Sequence, residues 1–211
     1  MPAEARSEMS DGEKVEAVPI LRLQLLGSMA VQGATGKSLL PRARKTRALL
    51  AILALAAPRP VLRLHLAALL WSQREKEQAR ASLRQAVHDL NETLGSPYAS
   101  LIRAERNHVA FADRGLQVDI LDLSRDAGKA KDLVEQFCRV ALEDLDGLDP
   151  AFDRWLDHER QRLTRIARTT GESLLSESRG ATNILQSANR LLLIDPAHEA
   201  AWRAVIRVHA E

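Results

Sequence analysis

At 211 residues, with 45% apolar and 27% charged content, the chain is long enough for one or two compact domains with real cores. An aromatic share of 3% argues against single-strand nucleic-acid binding on stacked rings, and a lone cysteine, Cys138, excludes an internal disulfide framework and fits a reducing cytoplasm. The net charge of +2 conceals a division: residues 1–19 hold 2 basic and 5 acidic side chains, 20–111 hold 14 and 5, and 112–211 hold 14 and 18. A basic block of this kind calls for a polyanion partner, nucleic acid rather than membrane, because cationic surface gains affinity by releasing counterions.

In chain order, residues 1–18 are polar, acidic and unpatterned and read as a disordered leader. There is no signal-peptide core, and the run "LLAILALAA" is too short and too closely flanked by arginines to span a bilayer. From Ile20, "ILRLQLLGSMAVQ" alternates Leu21, Leu23 and Leu25 around Gly27 and predicts a short strand with a kink or bulge. The next stretch, "VQGATGKSLL", contains Gly36-Lys37-Ser38, but a phosphate-cradling loop requires glycine where Val31 stands and a helix where Pro41 follows. It reads instead as a turn between short strands, with Gly33 and Gly36 at positive φ.

A helix is predicted from Lys45 to Ala57, stopped by Pro58 and Pro60, with Leu49, Ile52, Leu53 and Ala56 on one face. A second, "RLHLAALLW", turns Leu66, Leu69 and Leu70 inward behind Leu62, which offers no capping oxygen. The third runs from Glu75 to Leu94 and stops at Gly95, with an apolar stripe of Leu83, Val87, Leu90 and Leu94. Its opposite face presents Gln78, Ala81, Ser82, Gln85 and His88, with Arg80 and Arg84 on the shoulders. "LIRAERNHVAFAD" then predicts a hairpin turning at Glu105-Arg106-Asn107. Strands, three helices and a hairpin are the order of a winged helix-turn-helix.

From about Gly115 onward the pattern is helical: 124–142, 149–178 and a final pair reaching Glu211, where the helical pattern is still running. Asp-Pro at 149–150 and again at 195–196 is read as a cap followed by proline in the first helical turn. The acidic run around Asp144, Asp146 and Gly147 lacks the first and twelfth ligands of a calcium loop and reads as a solvated turn. The six histidines show no zinc-ligand spacing, there is no nucleophile elbow, and no cofactor, metal or catalytic residue is expected.

The segments "LPRARKTRALLAILALAAPRPVLRLHLAALLW" and "EQARASLRQAVHDLNETLG" resemble the DNA-binding domain of SARP-type (antibiotic regulatory protein) transcriptional activators, a subgroup of the OmpR-like winged helices. "DPAFDRWLDHERQRL" and "RLLLIDPAHEAAWRAVIRVHAE" resemble the bacterial transcriptional activator domain that follows it there, a tetratricopeptide-like helical array. The resemblance implies an α+β winged helix-turn-helix over 19–113 and an all-α domain over 114–211, together a transcription regulator, most simply an activator, that performs no chemistry. It places Arg80, Ser82, Arg84, Gln85 and His88 on or beside the major-groove surface, Arg44, Lys45 and Arg47 at phosphates, and Arg103, Arg106 and Asn107 in a wing at the adjacent minor groove. Double-stranded DNA, RNA polymerase and a second copy of the chain are the partners it implies. The family's arginine-rich end of the third helix is here "HDLNETLG", where Asp89 and Glu92 would repel phosphate. The alternative is an interaction module at the front of a larger protein, its DNA binding weakened.

Overall fold

The computed structural model describes residues 20–112, 114–122 and 139–210. The expected leader, Asp113 and most of the helix expected over 124–142 lie outside the described residues. Instead of one kinked strand, the first apolar stretch forms two, β1 (Leu21–Gln24) and β2 (Ala30–Gln32), paired antiparallel with Leu23 opposite Val31. The chain reverses through Gly27 at φ 79°. Carboxylates far along the chain stabilise that turn: Leu25 and Leu26 N–H donate to Asp119 at 3.0 and 3.1 Å, and Met29 N–H donates to Asp144 at 2.9 Å. A turn held by residues so distant leaves no local sequence signal.

The glycine-rich stretch is a turn, closed by Gly36 N–H on the Gly33 carbonyl at 2.9 Å and by a bridge between Gln32 and Ser38. Gly36 has the expected positive φ of 76°, whereas Gly33 does not. Gly33 is needed for space: a Cβ there would sit 2.8 Å from Tyr98 Oη and 3.1 Å from Leu39 Cδ1. That hydroxyl accepts from Ala34 N–H at 2.6 Å and is not free to retreat. Gly33→Ala is therefore expected to cost about 1–3 kcal/mol through overpacking, read as a lower midpoint in urea unfolding. An unchanged midpoint would mean that Tyr98 yields without loss.

Helix α1 (Arg44–Ala56) is not amphipathic as expected: every residue from Ala48 to Leu55 is at most 6% exposed. A helix apolar all round belongs at the centre of a core, and its three alanines in that run, Ala48, Ala51 and Ala54, let neighbours approach closely. After β3 (Val61–Leu62), α2 (Arg63–Leu70) buries Leu66, Leu69 and Leu70, and its N-cap Leu62 makes no side-chain hydrogen bond. Helix α3 (Lys76–Leu94) buries Leu83, Val87, Leu90 and Leu94 and ends at Gly95, whose φ of 75° suits a residue without Cβ. Strands β4 (Ile102–Ala104) and β5 (His108–Phe111) form the hairpin, and β3 joins β5 to complete a sheet ordered β3-β5-β4. Strand β6 (Leu116–Val118) then pairs parallel with β1, giving β2-β1-β6, and leads into a single helical turn, α4 (Asp119–Asp122).

Residues 139–142, expected as the end of a helix, are not helical. Ala141 bridges Leu26, Gly27 N–H donates to the Val140 carbonyl at 3.1 Å, and Leu142 N–H donates to the Leu25 carbonyl at 2.9 Å. The open edge of the β1–β2 turn takes these backbone groups, and Leu142 and Leu145 bury against it. Three helices follow: α5 (Pro150–Glu177), α6 (Ala181–Ile194) and α7 (Glu199–Ala210). Asp149 caps α5 as expected, accepting from Ala151 N–H at 3.1 Å. The second Asp-Pro does not open its helix. Asp195 closes a turn first, accepting from Ala197 and His198 N–H, and His198 becomes the cap, its Nδ1 accepting from Ala201 N–H at 3.3 Å.

One apolar core runs from Leu21 through Phe111 to Phe152, Leu156 and Leu163, so it draws on residues to both sides of residue 114. A small second core joins Ala188, Leu191 and Ala201 with Leu175. Helix α5 serves both cores, and Gly171 lets it approach α6: a Cβ there would stand 3.0 Å from Leu191 Cδ1.

Candidate nucleic-acid interface

With its stripe of leucines and Val87 buried, α3 turns Gln78, Arg80, Ala81, Arg84, Gln85 and His88 to solvent. Their side chains are not equally free. Arg80 is tied to Glu77 at 2.6 Å, Gln85 Nε2 donates to Asp89 at 2.8 Å, and His88 Nε2 lies 3.6 Å from Glu92. Ser82 is only half-exposed; its hydroxyl donates back to the Gln78 carbonyl at 2.8 Å and accepts from Arg74 Nη1 at 2.8 Å. Arg84 is exposed and makes no ion pair or side-chain hydrogen bond among the described residues. Its guanidinium keeps all five N–H donors for an incoming group.

The hairpin is tight. Glu105 N–H donates to the His108 carbonyl at 2.9 Å, so only Arg106 and Asn107 form the loop, and Arg103 stands exposed on β4. Its base is fastened to the start of α2: Arg63 N–H donates to the Asn107 carbonyl at 2.9 Å, and Arg63 Nε donates to the Glu105 carbonyl at 2.8 Å. Arg103 and Arg106 make no ion pair or side-chain hydrogen bond among the described residues, so both cations at the wing are available.

Arg44, Lys45 and Arg47, expected at phosphates, are engaged by the chain's own acidic segment. Arg44 donates to the carbonyls of Asp144 and Asp146, the latter at 2.7 Å, and Arg47 pairs with the Asp144 carboxylate at 3.3 Å. Lys45 lies 3.7 Å from Asp149 and over the Trp71 ring at 5.5 Å from its centroid. Asp149 is the hub. It accepts from Ser72 N–H at 3.0 Å and Ser72 Oγ at 2.5 Å besides capping α5, and its side chain is 4% exposed. Burial works to raise its pKa, but the Ser72 and Ala151 hydrogen bonds and the Lys45 charge outweigh it, and the carboxyl sits below its ordinary value. The segment read as a solvated turn is thus a docked one. The cationic start of α1 lies against intramolecular carbonyls and carboxylates, which charge counts alone do not reveal.

Cations that the sequence reading passed over are Arg74, before α3, and Arg42, which lines a shallow cleft with Asp89, Glu92 and Thr93 between the start of α1 and the end of α3. The acidic end of α3 therefore has a basic neighbour. In the helical array, Glu172 is held below its ordinary pKa chiefly by hydrogen bonds from His198 at 2.8 Å and Arg168 at 3.2 Å. Since His198 Nδ1 accepts from Ala201 N–H, the hydrogen-bond pattern puts the imidazole proton on Nε2, facing Glu172. No helix among the described residues is long and apolar enough to cross a membrane.

A solved structure with this arrangement is Mycobacterium tuberculosis EmbR in complex with a low-affinity phosphopeptide. It superposes with a TM-score of 0.62 at 19% identity, over 90% of this chain and 55% of that one. The likeness is one of fold. It supports an EmbR-like fold for the present chain, which spans little more than half of EmbR's length. No family model matches the sequence, and no curated protein matches it.

Proposed function

We propose that this chain is a sequence-specific double-stranded DNA-binding transcription regulator of the SARP type. Helix α3 enters the major groove, and the Arg106–Asn107 turn reaches the neighbouring minor groove. The observation that carries this reading is Arg84: an exposed arginine without a partner among the described residues, on the solvent face of the third helix of a winged helix whose wing also offers Arg103 and Arg106. Arginine reads guanine edges or holds phosphates with the same guanidinium, and Gln85 can exchange its bond to Asp89 for an adenine edge. His88, exposed on the same face, lies within reach of a base edge.

The helical array is proposed to serve protein contact: self-association or recruitment of RNA polymerase, which would make the protein an activator. The exposed Leu193, Trp202 and Ile206 on α6 and α7 supply apolar surface for it. The function so read needs no chemical step and is carried out in the cytoplasm.

The test is enrichment of bound duplexes from a random pool at about 150 mM salt, where phosphate attraction alone is weakened. A recovered, repeated motif supports sequence reading, and its spacing gives the geometry of a dimer. A second reading, an interaction module with little DNA binding, is favoured by the engagement of Arg44, Lys45 and Arg47 with Asp144, Asp146 and Asp149. It replaces the first if no motif is enriched and residual binding disappears with added salt.

A further inference from the structure

From the bond between Arg74 and Ser82 we infer a DNA-phosphate contact that the family-based reading does not contain: Arg74, in the turn between α2 and α3, is the contact, and Ser82 is the residue that positions it. The inference rests on the DNA-binding reading above and adds a second anchored flank to it.

The argument begins with helix geometry. Successive residues advance 100° around an α-helix. With Leu83, Val87, Leu90 and Leu94 buried, Arg80 and Arg84 fall together on one flank of α3, while Gln78, Ser82 and Asp89 fall on the other. An α-helix in the major groove nearly fills its width of about 12 Å, so a row of phosphates faces each flank. The Arg80–Arg84 flank carries two cations, with Glu77 beside them and paired with Arg80. The opposite flank carries, from α3 itself, only the charge of Asp89, which would be repelled.

Arg74 corrects that imbalance. It is exposed, it is not part of α3, and its Nη1 is bonded to Ser82 Oγ at 2.8 Å across eight positions of sequence. Its backbone is set as well, since Arg74 N–H donates to the Trp71 carbonyl at 3.1 Å in the tight turn that ends α2. The hydroxyl proton of Ser82 is spent on the Gln78 carbonyl, so the Ser82 oxygen presents only lone pairs outward. Among the described residues Arg74 has no carboxylate partner, and its remaining N–H donors are unoccupied. A guanidinium fixed on a helix flank by one hydrogen bond loses less side-chain entropy on meeting a phosphate than one that is free to swing. Ser82 thus acts through Arg74 and does not read a base itself.

The experiment uses the full chain and the duplex recovered by the selection described above, with affinity measured by fluorescence anisotropy across a range of salt concentrations. Arg74→Ala is expected to weaken binding about tenfold, equally on matched and mismatched duplexes, and to reduce the salt slope by about one. Ser82→Ala keeps the charge but frees it, so affinity falls about threefold with the slope unchanged, and Ser82→Thr, which retains the hydroxyl, restores it. The double variant R74A/S82A is expected to bind as R74A does, because the two residues act as one unit. Melting temperatures of the exposed Arg74 variants should match that of the parent. If R74A keeps the parent's affinity and slope while Arg84→Ala weakens binding, the inference is overturned and the DNA-binding reading stands. If the parent selects no motif, both are overturned.

Discussion

Asp149→Ala will destabilise the chain by about 2–4 kcal/mol, a large share of what a domain of this size commands. The carboxylate ends three kinds of orphan at once: the first N–H groups of α5 through Ala151, the Ser72 backbone N–H after α2, and the Lys45 ammonium at the start of α1. Loss of an N-cap alone costs about 1 kcal/mol, and a buried hydrogen bond to a charged group adds about 1.5–3 kcal/mol. Alanine leaves Ser72 N–H and the helix start without the acceptor that Asp149 supplies from a side chain only 4% exposed. Asp149→Asn keeps a capping oxygen but loses the charge, and should recover roughly half of the lost stability. The measurement is equilibrium unfolding in guanidinium chloride, and a loss below about 0.5 kcal/mol for the alanine variant would show that the hub is dispensable.

The same carboxylate predicts the acid limb of stability. Its folded pKa lies below its unfolded one, so its contribution is complete above the unfolded carboxyl value of about 3.9 and disappears as pH falls through the folded value. In Asp149→Asn that part of the decline should be missing, which comparison of melting temperatures of parent and variant below about pH 4 will reveal. Glu172 shifts in the same direction but is 42% exposed at its side chain, so solvent screening leaves it a smaller part of that decline.

What could be read in advance follows the range of the forces involved. The stripe Leu83, Val87, Leu90 and Leu94 and the stop at Gly95 are written in periodicity and backbone chemistry within one helix, and α3 forms as the sequence implied. The wing turn, set between paired β-branched and aromatic residues, is equally local. The β1–β2 turn was hidden because Asp119 and Asp144 hold it from about a hundred positions away. The helical pattern of residues 139–142 misled because an apolar run suits a strand as well as a helix when an unpaired edge awaits it. For the site, exposure of Arg84, Gln85 and His88 was legible. The bond between Arg74 and Ser82 was not, because it depends on a rotamer and on a loop arginine.

Arg84→Ala should cost about 1–3 kcal/mol of specific DNA binding if the guanidinium reads a base, and discrimination against mismatched duplexes should fall at one position of the motif. The comparison that gives this force is Arg80→Ala on the same flank. Arg80 already spends part of its charge on Glu77 at 2.6 Å, and a phosphate must compete with that carboxylate, so its removal should weaken binding less and uniformly across sequences. The pair Asp89 and Glu92 sets the opposite sign. Replacing Glu92 by Gln removes a negative charge from the exposed end of α3 without altering the bulk of the side chain, so affinity should rise severalfold at low salt and converge with the parent at high salt. Equal discrimination by Arg84→Ala and the parent would remove Arg84 from the reading set. If Glu92→Gln also left the salt dependence untouched, α3 would not lie on the duplex at all, and its arginines would belong to a surface for another partner.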